Sequence, residues 1–150
     1  MLDKLVWERI SDIFDDKDHS LWGSNGVLSE DSIQGQLGNC WLHTAAMAIA
    51  KDPERLRDVF KIKQLNSAGV YALDMWLLGQ PLTVVLDDHL PLDPASYQPE
   101  FANIGEDGAL WGPIFEKAAA KYLGTYEAVN AGGGADDIEA MTGAPSSTLA

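Results

Sequence analysis

Apolar residues dominate positions 41–50, the stretch that follows the single cysteine, Cys40, and no charged residue interrupts them. Because apolar positions occur all round this stretch, the pattern predicts a helix that is buried on most of its sides. We expect this central helix to begin at Cys40 and to end near Lys51. The next residues, Asp52-Pro53-Glu54, have the composition of an N-cap and a first turn, and they predict a surface helix over residues 53–60.

Two further segments have the pattern of strands. Residues 70–78 and 82–86 are rich in leucine, β-branched and aromatic side chains, and Gly79-Gln80-Pro81 lies between them. This pattern predicts an antiparallel hairpin that ends at Asp87-Asp88. Residues 91–109 contain proline, glycine and acidic residues without a regular period, which predicts a loop, and a loop of this length in a compact domain is often functional.

Helical spacing of apolar residues recurs at both ends of the chain. Residues 1–15 have Leu5, Ile10 and Phe14 among their apolar positions and predict an amphipathic helix. Residues 111–122 predict a helix that ends before Gly124, residues 131–135 a glycine-rich loop, and residues 137–142 a short helix ended by Gly143. Together the elements predict an α+β fold in which surrounding helices and a small antiparallel sheet enclose the central helix.

Composition narrows the class of protein. A length of 150 residues, with 46% hydrophobic residues and five tryptophans, suits one folded domain. The formal net charge of -13 makes nucleic-acid binding a poor fit, because neutralising phosphates requires clustered lysine and arginine. The N-terminal residues are charged throughout, unlike a signal peptide, and no stretch is apolar enough for a membrane span. One cysteine makes no internal disulfide, which fits a reducing compartment but also fits a secreted fragment.

The residues around Cys40 are typical of a cysteine nucleophile. Gln34 precedes the cysteine by six positions, the turn-forming pair Gly38-Asn39 comes directly before it, and Trp41 follows it. The reactive form of cysteine is the thiolate, which the N–H groups and the dipole of a helix N-terminus stabilise. If Asn39 caps the helix, the Gln34 amide and the Cys40 backbone N–H can both donate to an oxyanion that forms beside the sulfur.

The string QGQLGNCWLHTAAMAIA, residues 34–50, resembles the papain-like cysteine proteases and, among them, the calpains. Three further segments resemble calpains in the same order, at residues 84–91, residues 110–121 and Tyr126-Glu127-Ala128. Four ordered segments are far more specific than the Gln-to-Cys spacing alone. The resemblance extends from about Gly26 to Gly143.

This resemblance implies the first subdomain of a calcium-regulated, intracellular endopeptidase core, a papain-like half with Cys40 as nucleophile and Gln34 as oxyanion donor. The family's general-base histidine and its orienting asparagine belong to a second subdomain. Residues 1–150 are therefore expected to be the first subdomain only, and the isolated chain is expected to be inactive. The expected substrates are proteins and peptides, and the expected location is the cytoplasm.

The resemblance also implies the walls of a substrate cleft. Trp41 is expected beside the nucleophile. Gly132 and Gly133 correspond to a family loop that hydrogen-bonds the substrate backbone, and such a close approach favours glycine. The run Gly132-Gly133-Gly134 equally has the composition of a flexible connector.

The resemblance further implies a calcium site in the loop before the motif. The ligands of the family correspond to Ser24, Gly26 and Asp31, together with a glutamate whose position here is Ala109. Calcium requires six to eight oxygen ligands with carboxylate charge, so the alanine weakens the expectation. Glu106 or Asp107 can substitute if the loop bends differently.

His43 lies three residues after Cys40, on nearly the same face of the predicted helix. The pair is compatible with a catalytic dyad or with two metal ligands. Calpains usually carry an aliphatic residue at this position, and the helix leads His43 away from the cleft. We therefore expect a packing or hydrogen-bonding histidine.

Two other functions share parts of this pattern. Transglutaminases are papain-like thiol acyl transferases with a Gly-x-Cys-Trp motif, although Gln34 and the downstream segments favour a protease. A noncatalytic binding or regulatory module that kept the fold is supported by the missing catalytic histidine, by His43 and by Ala109. The retained Cys40 and Gln34 oppose that interpretation.

Overall fold

The structure, a computed structural model, describes residues 2–14, 17–77, 79–131 and 135–144. Its fold is of the predicted α+β class. The strands are β1 (Val6–Arg9), β2 (Val70–Leu77), β3 (Gln80–Asp87) and β4 (His89–Leu92). The helices are α1 (Ile10–Ile13), α2 (Cys40–Ala50), α3 (Pro53–Val59), α4 (Trp111–Leu123), α5 (Tyr126–Ala131) and α6 (Ala135–Thr142), with 3₁₀ turns at Leu2–Lys4 and Ser29–Asp31.

The N-terminal segment is a strand followed by one helical turn, so the predicted amphipathic helix over residues 1–15 is wrong. β1 pairs antiparallel with β4, in a register that sets Arg9 opposite His89. The pair Val6-Trp7 favours a strand, and the Arg9 guanidinium binds the buried Asp88 carboxylate, with Nε 3.0 Å from Oδ1. Pairing with β4, which is distant in sequence, therefore determines the structure of this segment, although its apolar residues recur at helical spacing.

The predicted hairpin is confirmed. β2 and β3 pair antiparallel from Val70 opposite Asp87 to Leu77 opposite Gln80. In the turn, Gly79 has a φ of 74°, a left-handed conformation that favours glycine. The core-facing side chains of the hairpin are Tyr71, Leu73, Met75, Val84 and Leu86.

The core beneath the cysteine is built by α2 and α4. α2 begins at Cys40 and ends at Ala50, close to the predicted end. α4 begins at the fully buried Trp111 and ends before Gly124, as predicted. Burying a large apolar side chain contributes about 1.5–3 kcal/mol, and α2 contributes Leu42 and Ile49 to this core. The packing of α2 on this core therefore fixes where Cys40 lies.

The remaining helices agree with the prediction in part. α3 begins after Asp52, whose carboxylate accepts a hydrogen bond from the Arg55 N–H at 3.4 Å, so the predicted N-cap is confirmed. α6 covers the predicted helix over residues 137–142 and begins two residues earlier. α5 has no counterpart among the predicted elements. Residues 132–134, the centre of the predicted glycine-rich loop, lie outside the described residues.

The long loop before α4 packs against the segment before α2. Within the described range 79–131, no helix or strand lies between β4 and α4. Isolated bridges join Ile33 to Asn103 and Ser20 to Ala109, and they bring acidic residues of the loop close to Asp31. Among the described helices, none is both long and apolar enough to cross a membrane.

Candidate active site

Cys40 is an exposed free thiol at the first position of α2, as predicted. The first N–H groups of a helix have no intrahelical acceptor. The carbonyl of Asn39 accepts the first helical bonds, from the Leu42 N–H at 2.9 Å and the His43 N–H at 3.4 Å. The sulfur therefore lies at the positive end of the helix dipole, where a thiolate is favoured.

Asn39 directly precedes Cys40, but its side chain does not cap α2, so this part of the prediction is wrong. The residue is completely buried, and its Nδ2 donates to Oε1 of Glu116 at 2.6 Å. A hydrogen bond to a carboxylate is stronger than one between neutral groups. The Asn39 side chain therefore binds Glu116 in preference to the N–H groups at the start of α2. The side chain is drawn towards α4 instead of covering the N–H groups at the start of α2.

Gln34, the predicted oxyanion donor, is exposed in the loop that precedes α2. Its Nε2 donates to the carbonyl of Leu37 at 2.5 Å. A side-chain amide has two N–H donors, so this bond leaves one donor for an oxyanion beside Cys40. The role of Gln34 stays a prediction.

The nucleophile loop, residues 34–39, packs closely against the segment before α4. The Gln36 N–H donates to the carbonyl of Glu100 at 3.0 Å. A Cβ on Gly35 would collide with the carbonyl of Phe101, so the loop approaches this segment as only glycine permits. Leu37 is buried in the core and anchors the loop there.

Two consecutive residues of α5 hold the chain on both sides of Cys40. The side-chain oxygen of Asn130 accepts a hydrogen bond from the Gly38 N–H at 2.6 Å. The carbonyl of Val129 accepts one from Nε1 of Trp41 at 3.1 Å. The half-buried Trp41 is thus tied to the helix that leads to residues 132–134. Sequence reasoning missed Asn130, since nothing but its place before the glycine run marks it.

The predicted substrate-binding residues are therefore placed only in part. Trp41 lies beside the nucleophile, as its position after Cys40 requires. Gly132 and Gly133 lie outside the described residues, and their role stays a prediction.

Glu116 is a second residue that sequence reasoning missed. It is a buried carboxylate, 2% exposed, within the otherwise apolar face of α4. Besides the Asn39 amide, it accepts the backbone N–H of Ala102, through Oε2 at 2.8 Å. Glu116 is a single acidic residue on a helical face that is otherwise apolar, and this pattern is a signal that could have identified it. Charged residues are rarely buried without partners, so such a position predicts buried hydrogen-bond partners.

His43 is buried and hydrogen-bonded, in agreement with the expected packing or hydrogen-bonding role. Its Nδ1 lies 2.9 Å from Oγ of Ser32. Its Nε2 lies 3.5 Å from Oε1 of Glu116, without hydrogen-bond geometry. Nδ1 therefore has a buried partner, and the ring lies within the core and not in an open cleft.

The predicted calcium loop adjoins a cavity of about 480 Å³ lined by four acidic residues, Glu30, Asp31, Glu106 and Asp107. Asp31 is almost fully buried and accepts the Leu28 N–H at 3.3 Å. Asp107 accepts the Asn25 N–H at 2.9 Å through Oδ2, while its Oδ1 is buried with no hydrogen-bond partner. Ala109, at the position of the family's glutamate, is completely buried. Of the two proposed substitutes, Asp107 is the one that contacts the loop.

Burial and the negative charge of Asp107 raise the pKa of Asp31 to about 6. Asp31 and Asp107, the second with an orphaned oxygen, are carboxylates of this cavity that a hard cation would satisfy. The described residues contain no group of three or more histidine, cysteine or acidic side chains able to hold a metal ion. A calcium ion would therefore need backbone carbonyls as well, for which Ser24 and Gly26 are the predicted donors.

Comparisons with known proteins agree with this geometry. The family model described as calpain family cysteine protease matches residues 1–150. Over 140 residues the chain is 35% identical to the calpain-type cysteine protease DEK1 of Zea mays, which covers 91% of this chain and 6% of that protein. Over 142 residues it is 32% identical to the calpain-2 catalytic subunit of Bos taurus, covering 93% of this chain and 20% of that protein.

A third relative, calpain-5 of Mus musculus, is 30% identical over 152 residues, covering 95% of this chain and 23% of that protein. The chain spans less than a quarter of the length of each of these relatives. The matched range includes α2 with its exposed cysteine, the loop with Gln34, and α5. The chain therefore belongs to the calpain family of cysteine proteases.

Proposed function

We propose that this chain is the nucleophile-bearing half of a calpain-type cysteine endopeptidase. The observation that carries the proposal is the exposed Cys40 thiol at the N-terminus of α2, with Gln34 six positions before it. Family membership supports peptidase chemistry in the whole protein and disfavours the transglutaminase alternative. A cytoplasmic location belongs to the proposal, because Cys40 must stay reduced to act.

In the proposed reaction, the Cys40 thiolate attacks the carbonyl carbon of a peptide bond. A bond forms between sulfur and carbon, the carbonyl oxygen becomes an oxyanion, and the Gln34 amide and the Cys40 N–H donate to it. The carbon–nitrogen bond then breaks, the amine leaves with a proton, and a thioester remains. Water cleaves the thioester to a carboxylic acid and restores the thiol.

The general base of this reaction is proposed to come from a second subdomain that supplies a histidine and an asparagine, as the family resemblance implies. His43 is unsuited to the role because it is buried in the core and its Nδ1 is bound to the Ser32 hydroxyl. His19 and His89 do not match the position of the family's catalytic histidine. We therefore expect the isolated chain to cleave no peptide, and we expect Trp41, Gly132 and Gly133 to contact protein or peptide substrates in the whole enzyme.

Calcium binding is the second part of the proposal. The ion would be held by the carboxylates of Asp31 and Asp107 and by the carbonyls of Ser24 and Gly26, so that Asp107 replaces the glutamate missing at Ala109. It would neutralise the two acids and draw the loop before α2 onto the loop before α4. Calorimetric titration of the chain with calcium chloride tests this, and the absence of both heat and thermal stabilisation would contradict it.

The test of the nucleophile is the reactivity of Cys40 as a function of pH. We expect iodoacetamide to alkylate Cys40 faster near neutral pH than it alkylates a model thiol. A peptide aldehyde, which forms a hemithioacetal with a tetrahedral oxygen, tests the oxyanion donor. Gln34→Ala is expected to weaken aldehyde binding by about tenfold or more, whereas it should leave the alkylation profile nearly unchanged.

Gln36→Ala is the matched control, because Gln36 is also an exposed glutamine of the nucleophile loop. Equal aldehyde affinities for the two variants would refute the role of Gln34. An ordinary thiol profile for Cys40 would refute activation by the helix. Peptide hydrolysis by the isolated chain would overturn the proposal that the base comes from a second subdomain.

A noncatalytic module remains the second candidate function. The observation that favours it is the bond between the Gln34 amide and the Leu37 carbonyl, which engages the proposed donor within its own loop. A folded chain whose Cys40 is no more reactive than a model thiol would favour this candidate over the protease.

A further inference from the structure

Four buried polar residues behind Cys40 form a continuous set of contacts that the proposed mechanism does not use. They are Ser32, Asn39, His43 and Glu116, and each is at most 8% exposed. They come from the end of the 3₁₀ turn at Ser29–Asp31, from the nucleophile loop, from α2 and from α4. Burying polar groups at this depth destabilises the fold unless they hydrogen-bond one another.

Glu116 is the centre of this set. Its Oε1 accepts the Asn39 amide at 2.6 Å, and its Oε2 accepts the Ala102 N–H at 2.8 Å. The third group beside it is Nε2 of His43, 3.5 Å from Oε1. A buried carboxylate is tolerated when donors and positive charge surround it, and these three groups are the surroundings that the structure provides.

The partners of His43 determine where its ring proton lies. Nδ1 is 2.9 Å from the Ser32 hydroxyl. If Nδ1 alone carried the proton, the lone pair of Nε2 would face a carboxylate oxygen, which is a repulsive arrangement. If Ser32 donates to Nδ1, the proton lies on Nε2, 3.5 Å from Oε1 of Glu116.

We propose that His43 and Glu116 are positioning residues for the nucleophile. Glu116 holds the Asn39 side chain away from the helix cap and thereby sets the start of α2, and the Nε2–H of His43 offsets the negative charge of the carboxylate behind Cys40. Without His43, that charge opposes formation of the Cys40 thiolate. The proposal rests on the proposed function of Cys40 as nucleophile.

The neighbouring charged groups do not take the place of His43. Several charged side chains on the elements packed against α2 bind partners other than His43. They are Asp31 with the Leu28 N–H, Glu54 with Arg57, Asp58 with Lys63, Lys117 with Asp87, and Lys121 with the Val85 carbonyl. Arg55 lines a cavity beside Ile49, nearer the end of α2. Glu139 of α6 is engaged in an interaction of its own. Glu116 is the carboxylate recorded within 4 Å of the imidazole in the described part of the chain.

The experiment measures iodoacetamide alkylation of Cys40 against pH in the wild-type chain and in His43→Leu, His43→Gln, Glu116→Gln and the double variant His43→Leu/Glu116→Gln. For His43→Leu we expect the alkylation rate near neutral pH to fall about tenfold. His43→Gln keeps an N–H donor, and its alkylation rate should lie between those of the wild-type chain and His43→Leu. The double variant should return to within about threefold of wild type, because it also removes the carboxylate charge.

Glu116→Gln is a fair replacement because the Asn39 amide can adapt to it. Oδ1 of Asn39 is buried with no hydrogen-bond partner, so a flip of this amide would offer an acceptor to the new side chain without moving the backbone. In the double variant, which also lacks the Nε2–H of His43, the substitution therefore removes the charge while it preserves the contact with Asn39.

The outcomes separate this inference from the function on which it rests. An ordinary thiol profile in the wild-type chain would refute the activation of Cys40 by the helix, on which this inference also rests. An activated wild-type thiol with an unchanged profile in His43→Leu would overturn only the present inference, and so would a slowed His43→Leu that the second substitution does not rescue.

A separate measurement remains decisive if His43→Leu fails to fold. Nitrogen-15 chemical shifts of the His43 ring in the wild-type chain report directly which nitrogen is protonated. A protonated Nε2 near neutral pH agrees with the proposal, and an unprotonated Nε2 would overturn it.

Discussion

Replacing Asp107 by asparagine removes the like charge next to the buried Asp31, and we expect the variant to be more stable than wild type near neutral pH when calcium is absent. The pKa of Asp31 is raised to about 6, against an ordinary value of 3.8, by burial first and by the charge of Asp107 second. Asparagine retains an oxygen that can accept the Asn25 N–H bound by Asp107. The substitution therefore tests charge with little change in shape.

The sign of the effect follows from the direction of the shift. A carboxyl group whose pKa is higher in the folded chain keeps its proton longer there than in the unfolded chain. Stability therefore falls as pH rises from about 4 to about 6 and stays at the lower value above that range. The whole shift corresponds to about 3 kcal/mol. Because burial is the larger cause and solvent in the cavity screens the charges, we expect Asp107→Asn to recover about 1 kcal/mol.

Urea unfolding followed by tryptophan fluorescence, at several pH values between about 4 and 7, measures this difference. The gain should be present near pH 7 and should vanish near pH 4, where Asp31 is protonated in both chains. Glu106→Gln is the matched control, since Glu106 lines the same cavity but is not among the groups that shift Asp31. A gain that is the same at both pH values, or no gain at pH 7, would refute the reasoning.

Calcium should reverse this order if it binds as proposed. A ligand that binds only the folded chain stabilises it by about 1.4 kcal/mol for each tenfold excess over its dissociation constant. The wild-type chain should gain this stabilisation, and Asp107→Asn should lose most of it. If both chains respond to calcium equally, Asp107 is not a ligand.

Two further predictions concern the elements that support the site. Asn130→Ala removes the acceptor of the Gly38 N–H, so unfolding should become easier by about 1 kcal/mol, and hydrogen exchange at the Gly38 amide should accelerate; an unchanged exchange rate would show that the bond does not form in solution. Burial alone would raise the pKa of Asp87, but the Lys117 ammonium and the His89 N–H outweigh it and lower this pKa to about 2. This depressed pKa contributes stability above about pH 4 that is lost as pH falls towards 2. Lys117→Met should therefore make the free energy of unfolding less dependent on pH in this range, and it should cost about 1 kcal/mol near neutral pH after solvent screening. Urea unfolding that shows the same pH dependence below pH 4 in both chains would contradict this prediction.

The elements whose side chains repeat with a clear period were predictable from sequence. The apolar run after Cys40 and the helical spacing from Trp111 onwards both gave helices near the predicted bounds. The hairpin was equally predictable, because Gly79 provides its turn. In each case the local pattern and the tertiary packing favour the same structure.

The contacts that organise the candidate site were not predictable in this way. The Asn39 side chain satisfies the sequence rule for an N-cap, yet it bonds Glu116, which is 77 positions away. The approach of Asp107 to Asp31 depends on how the loop before α4 folds against the loop before α2. A single sequence identifies which residues are acidic or amide-bearing, but pairings across such separations arise only from the packed chain.

The pairing of β1 with β4 has a consequence for the order in which the chain folds. The Arg9 side chain binds Asp88, which follows it by 79 positions. A ribosome adds about 5–20 residues per second, so β1 emerges about 4–16 s before its partner strand exists. During that interval, residues 1–15 have only their own helical periodicity to follow. We therefore expect this segment to sample helix first and to become a strand when β4 arrives, which makes its docking a late event in folding.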